Sequence, residues 1–511
     1  MRRLLPFILI LLFCVGCRTL QNAPDASPEA ASKTVMLFGT AVPVDAERIV
    51  VSMPVPSFAA LENALPQFLR LRAAEFVFPS DWTEDPESFL AYLAFRNAHP
   101  ELHCTEQYPA NAAPSEITEL QLNQPIDAWN AYLSQFPALQ TLTVSQTVPC
   151  KTIASVIESD PALNVLWTDE AFGPSDSAVR ELHLSGEPDP ALLQTYLACF
   201  PMLETVDLRE TSLSEEDGNA LCDAYPDIVF LRTVTLNGLP ADTGITEYNL
   251  DNAEIDFDAI MQALQYFPCL KHIEMNDCSL SDAQLAALRE RYPEKGIVWT
   301  VHIRRYSIRT DSVAFSTQCG TGNPNPLTSQ DVDSLRYCID LIALDLGHND
   351  ITDLDFLRPL KNLQVLILAD SRKLTDVSVI GTLSKLKYLE LFLTNVSDVA
   401  PLASLSELLD VNLCITKVVD ASPLLACKEL ERIWIGEQTQ QFMTLKSLLL
   451  LQEAFPNAEF DLLSVSCTAR GWREHPRYFA FREMFETNQP VEPFLPQSYG
   501  SASDRSGSGA S

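Results

Sequence analysis

Leu341, Leu363, Leu386, Leu408 and Leu430 each open the same phrase, apolar-x-x-apolar-x-apolar, and they recur about every 22 residues. The phrases read LIALDL, LQVLIL, LKYLEL, LLDVNL and LERIWI. Apolar residues two apart share one face of an extended chain, because side chains alternate across a strand. A single short strand cannot bury that face alone, but a fixed period lets neighbours stack and share one interior. The period therefore predicts short parallel strands lying side by side in chain order. Such a scaffold offers a broad surface and carries no chemistry of its own.

A longer form of the pattern lies upstream. Strand phrases recur as IVV (49–51), FVF (76–78), LQL (120–122), LTV (142–144), LHL (182–184), VDL (206–208), YNL (248–250) and IEM (273–275). Each leads through a polar turn to a stretch with apolar residues at helical spacing, such as IDAWNAYLSQF or DAQLAALRERY. Several of these stretches end in an aromatic followed by proline: Phe136–Pro137, Phe200–Pro201, Tyr225–Pro226, Phe267–Pro268 and Tyr292–Pro293. Proline lacks the N–H and restricts the residue before it, so it stops each helix. Prolines 137, 201 and 268 are 64 and 67 apart, which defines modules of about 65 residues with two strand–helix units each. Alternating stretches at 228–238 and 297–308 read as extra strands or hairpins between modules.

The short phrases resemble the internalin-type leucine-rich repeats of bacterial surface proteins. LIALDLGHNDITDLDFL (341–357) follows that pattern through Leu344, Leu346, Asn349, Ile351 and Asp353, and the resemblance extends over 341–436. Thr394 and Thr416 replace the patterned Asn, and a hydroxyl can serve the same backbone groups. The resemblance implies an α/β leucine-rich repeat solenoid, with a parallel strand face and helices or 3₁₀ turns on its other side. Long modules would occupy 34–300, a transition 301–340 and short repeats 341–454. Residues 455–490, rich in Trp472, Tyr478, Phe479 and Phe481, would cap the exposed end of the core. The small polar residues of 491–511 cannot bury a core and read as disordered.

The chain opens MRRLLPFILILLFCVGC, two arginines before an apolar stretch too short to span a bilayer comfortably. It resembles a bacterial lipoprotein signal, which implies removal of 1–16 and lipidation of Cys17. The place three before the acceptor, usually leucine in that family, holds Cys14. An ordinary cleaved signal or a retained anchor helix are the alternatives, and each exports the protein. Residues 17–33 are rich in Pro, Ala and Ser and read as a tether.

A formal net charge of −33 argues against nucleic acid, whose phosphates it would repel. It leaves a covalent lipid anchor as the route to a membrane. Of the thirteen cysteines Cys14 and Cys17 lie in the leader motif, and no C-x-x-C pair occurs among the other eleven. Cys199, Cys222 and Cys427 sit in helical patterns as small hydrophobes. No nucleophile elbow, zinc-protease helix, phosphate loop or dinucleotide fingerprint is present. His99 and His103 flank a proline turn and share no helix face. No catalytic residue, metal or cofactor is therefore assigned. Asp353, Asp376, Asp398 and Asp420 recur at spacings of 23, 22 and 22. They read as a ladder bonding turn N–H groups, with a calcium stripe as the alternative.

Residues flanking the apolar strand positions point away from the core. In the long modules they include Glu119, Gln121, Glu181, His183, Asp207, Arg209, Glu247, Asn249, Asp251, His272 and Glu274, a polar and mostly acidic set. In the short repeats Ile367, Tyr388, Phe392, Arg432 and Trp434 take these places, the composition of a protein-binding hot spot. Either that patch is open to a partner or the C-terminal cap folds over it. The expectation is a non-enzymatic, exported surface protein that holds a protein or glycan of a host or envelope surface; the alternatives are an envelope spacer without a ligand and an enzyme with an unrecognised site.

Overall fold

The protein is described by a computed structural model over residues 33–494, except 124–127, 319, 321, 464–465 and 469–470. Cys17, the leader, nearly all of the tether and most of the C-terminal tail lie outside the described residues. The chain divides into two compact units, Met1–Thr233 and Val234–Ser511. Each has mixed helix and strand content with sheets of parallel strands.

In the first unit three strands, Arg48–Ser52, Ala73–Val77 and His103–Gln107, pair in parallel and in chain order. Glu119–Leu122, Thr141–Thr147 and Asn164–Asp169 do the same, as do Glu181–Gly186, Thr205–Thr211 and Val229–Leu231. A helix returns the chain between parallel strands, as a parallel pair requires. Pro86–Ala98 shows why these helices form. Asp85 accepts the Ser88 N–H, Pro86 fills the first position, and Phe89, Tyr92, Leu93 and Phe95 share a buried face. That face packs on Phe76 and Phe78 of the adjoining strand region, with ring centroids 4.7–5.8 Å apart. The aromatics before proline end buried, Phe136 and Phe200 here and Phe267 and Tyr292 in the second unit.

The second unit opens its parallel strands with Glu247–Asn249, His272–Glu274 and Ile297–Val298. A hairpin follows, Thr300–Ile303 against Tyr306–Arg309. Seven short parallel strands then lie in chain order: Ala314–Ser316, Ala343–Asp345, Val365–Ile367, Tyr388–Glu390, Asp410–Asn412, Arg432–Trp434 and Glu459–Asp461. Phe315, Leu344, Leu366, Leu389, Val411, Ile433 and Phe460 form one straight register along the inner face. They belong to a continuous core with the leucines that open each phrase. Burying one such leucine contributes about 2 kcal/mol.

The return arcs of the short repeats are too brief for α-helices and take 3₁₀ form at Asp355–Leu357, Ser378–Thr382, Ala400–Ser404 and Ser422–Ala426. Asp353, Asp376, Asp398 and Asp420 each accept a backbone N–H two residues on, at 2.8 Å. This backbone bond holds the carboxyls of Asp376 and Asp420 below their ordinary range. Asn349 donates to the Leu346 and Gly347 carbonyls, and the Thr394 and Thr416 hydroxyls donate to Leu391 and Leu413 at 2.7 Å. The residue before each of these, and Asp370 at the same place one repeat on from His348, adopts a left-handed conformation: His348, Asp370, Leu393 and Ile415, φ from 54° to 59°. Leu393 and Ile415 tolerate poorly what a repeat turn here requires. Cys199, Cys338 and Cys427 are free and buried, and burial pushes their thiols up to about 12, 12 and 11.

Candidate functional site

The outward sheet faces come in two states. In the long modules the outward row is open. Glu119, Gln121, Glu181, His183 and Glu247 are exposed. In the first unit Arg209 closes on Asp207 through Nε and Nη2 at 2.9 and 2.6 Å. Those bonds outweigh partial desolvation and hold the Asp207 carboxyl at about 2.

In the second unit the row becomes a connected network. Arg309 binds Glu274 with both terminal nitrogens at 2.8 and 3.0 Å, and His272 Nε2 lies 2.8 Å from the same carboxylate. Asn276 donates to Glu274 and to Asp251, each at 2.9 Å, and accepts from Thr300 at 2.8 Å. Asn249 reaches Asp251 at 3.1 Å. Arg309 first, then His272 and Asn276, hold the Glu274 carboxyl at about 2 against the opposing effect of burial. The result is a fixed polar network on the strand face, in which the Glu274 carboxylate is paired with Arg309. Among the described residues no three His, Cys, Asp or Glu side chains converge as a metal cage.

In the short repeats the outward row is covered: of the two arrangements that the sequence leaves open, the C-terminal segment lies over the aromatic face, and the patch is not open to a partner. Ile367, Tyr388, Phe392, Arg432 and Trp434 are all buried, none more than 5% exposed. Residues of the C-terminal segment lie over them: Cys467, Trp472, Phe481, Met484 and Phe494 share one apolar cluster with these strands. Rings meet at 5.2 Å for Tyr388–Trp472, 4.6 Å for Tyr388–Phe481 and 5.1 Å for Trp434–Trp472. The physical reason is complementary chemistry. Arg477 Nε and Nη2 bind the two Asp410 oxygens at 2.9 and 2.7 Å. Trp472 Nε1 donates to Glu390 at 2.7 Å, and Asn412 donates to the Cys467 carbonyl at 2.8 Å. Arg432 donates to the Gly471 and Trp472 carbonyls at 2.9 and 3.0 Å, its guanidinium lying over both Trp434 and Trp472. The residues at 455–490 therefore divide their work. Glu459–Asp461 adds the last strand to the sheet, whereas the helix Pro476–Thr487 lies on the face rather than at the end. Strand alternation puts Glu390, Asp410 and Asn412 on this outward face together with the aromatics; what sequence reasoning missed is Arg477, which meets Asp410 across the cover.

No family model matches the sequence, and no curated protein is detectably similar to it. Among solved structures, an internalin C2 from Listeria monocytogenes shares 22% identity over 37% of this chain and 80% of its own, with a TM-score of 0.24. An internalin of the same organism, InlF, shares 16% over 69% of this chain and 88% of its own, with a TM-score of 0.26. A leucine-rich repeat protein of Leptospira interrogans shares 13% over 78% and 92%, with a TM-score of 0.20. At these scores the likenesses bear on neither site nor function.

Proposed function

We propose that the chain is a non-enzymatic leucine-rich repeat protein, exported and lipid-anchored at Cys17, whose solenoid holds a macromolecular partner against its outward strand face. The observation that carries this reading is the set of exposed acids on the outward strand positions of each unit taken by itself, Glu119 and Glu181 in the first and Glu247 in the second, on strands also held by the Asp207–Arg209 and Glu274–Arg309 pairs. Placing ionised groups on rigid elements lowers the ordering cost of binding, and an acid-rich face favours a basic segment of a protein partner. A glycan is the less favoured ligand, because this face offers no exposed aromatic ring in that network. The N-terminal sequence supports the anchor; the same motif supports delivery to the outer side of a membrane.

The test is capture from envelope or host-surface extracts by the full chain. Glu181 and Glu247 are exposed on the outward rows and make none of the network's bonds. Reversing both, Glu181→Lys with Glu247→Lys, is expected to abolish capture, whereas Glu216→Lys on the exposed side of the helix Glu215–Ala224 leaves it intact. Equal capture by both variants, or none by the wild type, favours the spacer reading. Fatty-acid labelling that disappears in Cys17→Ser checks the anchor separately.

A further inference from the structure

The two faces of the seven-stranded sheet are built from different chemistry. The inner register is apolar at every strand: Phe315, Leu344, Leu366, Leu389, Val411, Ile433 and Phe460. The outer face is equally dry beneath the C-terminal segment, yet it carries Glu390, Asp410, Asn412 and Arg432, each no more than 1% exposed. Burying charge is costly even when it is paired, and a permanent lid is made more cheaply from hydrocarbon. Aromatic rings around a few desolvated charges are the composition of a recognition surface.

The covering segment behaves like a bound ligand. It adds no strand to the sheet. Its helix docks through side chains of one face, Arg477, Phe481 and Met484, at relative positions 0, 4 and 7 along Pro476–Thr487, with Trp472 packing from the turn before it. That is how an amphipathic helix anchors in a groove. Its fit is incomplete: a cavity of about 330 Å³ remains beside the helix, lined by polar groups that include Asp345, His348, Arg473 and Arg482. Arg482 makes no hydrogen bond or ion pair among the described residues.

We propose that the covered outer face is a docking surface for a helix of another protein, and that the chain's own terminal segment occupies it as a displaceable stand-in. The helix it fits carries arginine, an aromatic ring four residues on and an apolar side chain three beyond that. Asp410 takes the arginine, Tyr388 takes the ring, and the apolar cluster of the face takes the third side chain. The inference does not rest on the open face of the long modules.

Two measurements on the full chain test it. In the wild type, hydrogen exchange is expected to show amides of 476–487 opening at least about 100-fold more often than those of Tyr388–Glu390, since a docked ligand opens below the global unfolding limit. Exchange of both only together, by global unfolding, overturns the proposal. In R477E, repulsion from Asp410 and Glu431 frees the face. A fluorescent peptide of residues 471–487 is then expected to bind R477E about 10-fold or more tighter than the wild type, because self-occupancy lowers the competent fraction. The same peptide with glutamate for its second arginine should bind neither. Equal peptide binding to both chains overturns the proposal, and so does an R477E dimer formed by exchange of terminal segments, which would make a second copy the occupant.

Discussion

Glu274 and Glu390 occupy the same kind of place, an outward position on a short parallel strand, and differ in what lies above them. Glu274 faces Arg309 on an open surface and is held ionised down to about 2. Glu390 lies beneath Trp472, and burial pushes its carboxyl up from its ordinary value, with Arg473 at 3.5 Å giving only partial relief. Strand geometry alone therefore decides nothing about a carboxylate's chemistry. The partner above the strand decides it, and in the short repeats the chain supplies that partner itself.

The comparison breaks most directly at the ion pairs. Asp410→Ala takes from Arg477 and Arg432 their buried carboxylate and leaves them only the exposed Glu431 and Glu459 at the edge of the face. It is expected to cost about 3–5 kcal/mol, or the whole docking free energy of the terminal segment where that is smaller. Loss of exchange protection across 476–487 with the strands unchanged reads this directly. Glu274→Gln, on the open face, is expected to cost about 1 kcal/mol or less in denaturant unfolding, because water replaces what Arg309 loses. Comparable losses at both sites would mean the two faces do not differ in the way described.

Acid sharpens the same contrast, because the two glutamates respond with opposite sign. A carboxyl held below its unfolded value contributes stability that is complete above that value and is lost as the pH falls toward the folded one. For Glu274 the window runs from about 4.5 down to about 2, and for Asp207 from about 3.8 down to about 2. A carboxyl raised by burial is the reverse: the folded state binds the proton more tightly, so stability falls as the pH rises above about 4.5 toward the folded value. Carboxyl titrations followed by NMR should place Glu390 above 4.5 and Glu274 well below it. Removing the cover with R477E should bring Glu390 back toward its ordinary value and leave Glu274 unmoved.

Much of this architecture is legible in the residues. The 22-residue leucine period specifies parallel strands in chain order, because a one-residue slip would turn Leu366 or Leu389 outward. The aromatic–proline pairs mark helix ends, and Phe136, Phe200 and Phe267 plug the core where that reading puts them. The outward rows follow from strand alternation alone. The cover does not. GWREHPRYFAFREMF suits a cap at the end of a solenoid as well as a helix across its face, and hydrophobic pattern cannot separate the two. What separates them is Arg477 meeting Asp410 across 67 residues and Trp472 meeting Glu390 across 82. Such pairings follow from tertiary placement, not from local periodicity.

An effect as small as that of Glu274→Gln is expected at the turns. Asp398 is exposed and accepts the Ala400 N–H at 2.8 Å, at the start of the 3₁₀ turn Ala400–Ser404. Its counterparts Asp353, Asp376 and Asp420 repeat the bond to the residue two on. A calcium stripe would need these carboxylates free to turn toward one another, whereas each already spends an oxygen on its own turn. Asp398→Ala should therefore cost about 1 kcal/mol, the worth of a lost capping bond, with the midpoint of thermal unfolding lowered by a few degrees at most. Added calcium or a chelator should leave both wild type and variant where they are. A midpoint that rises with calcium in the wild type and not in Asp398→Ala would make the ladder an ion site.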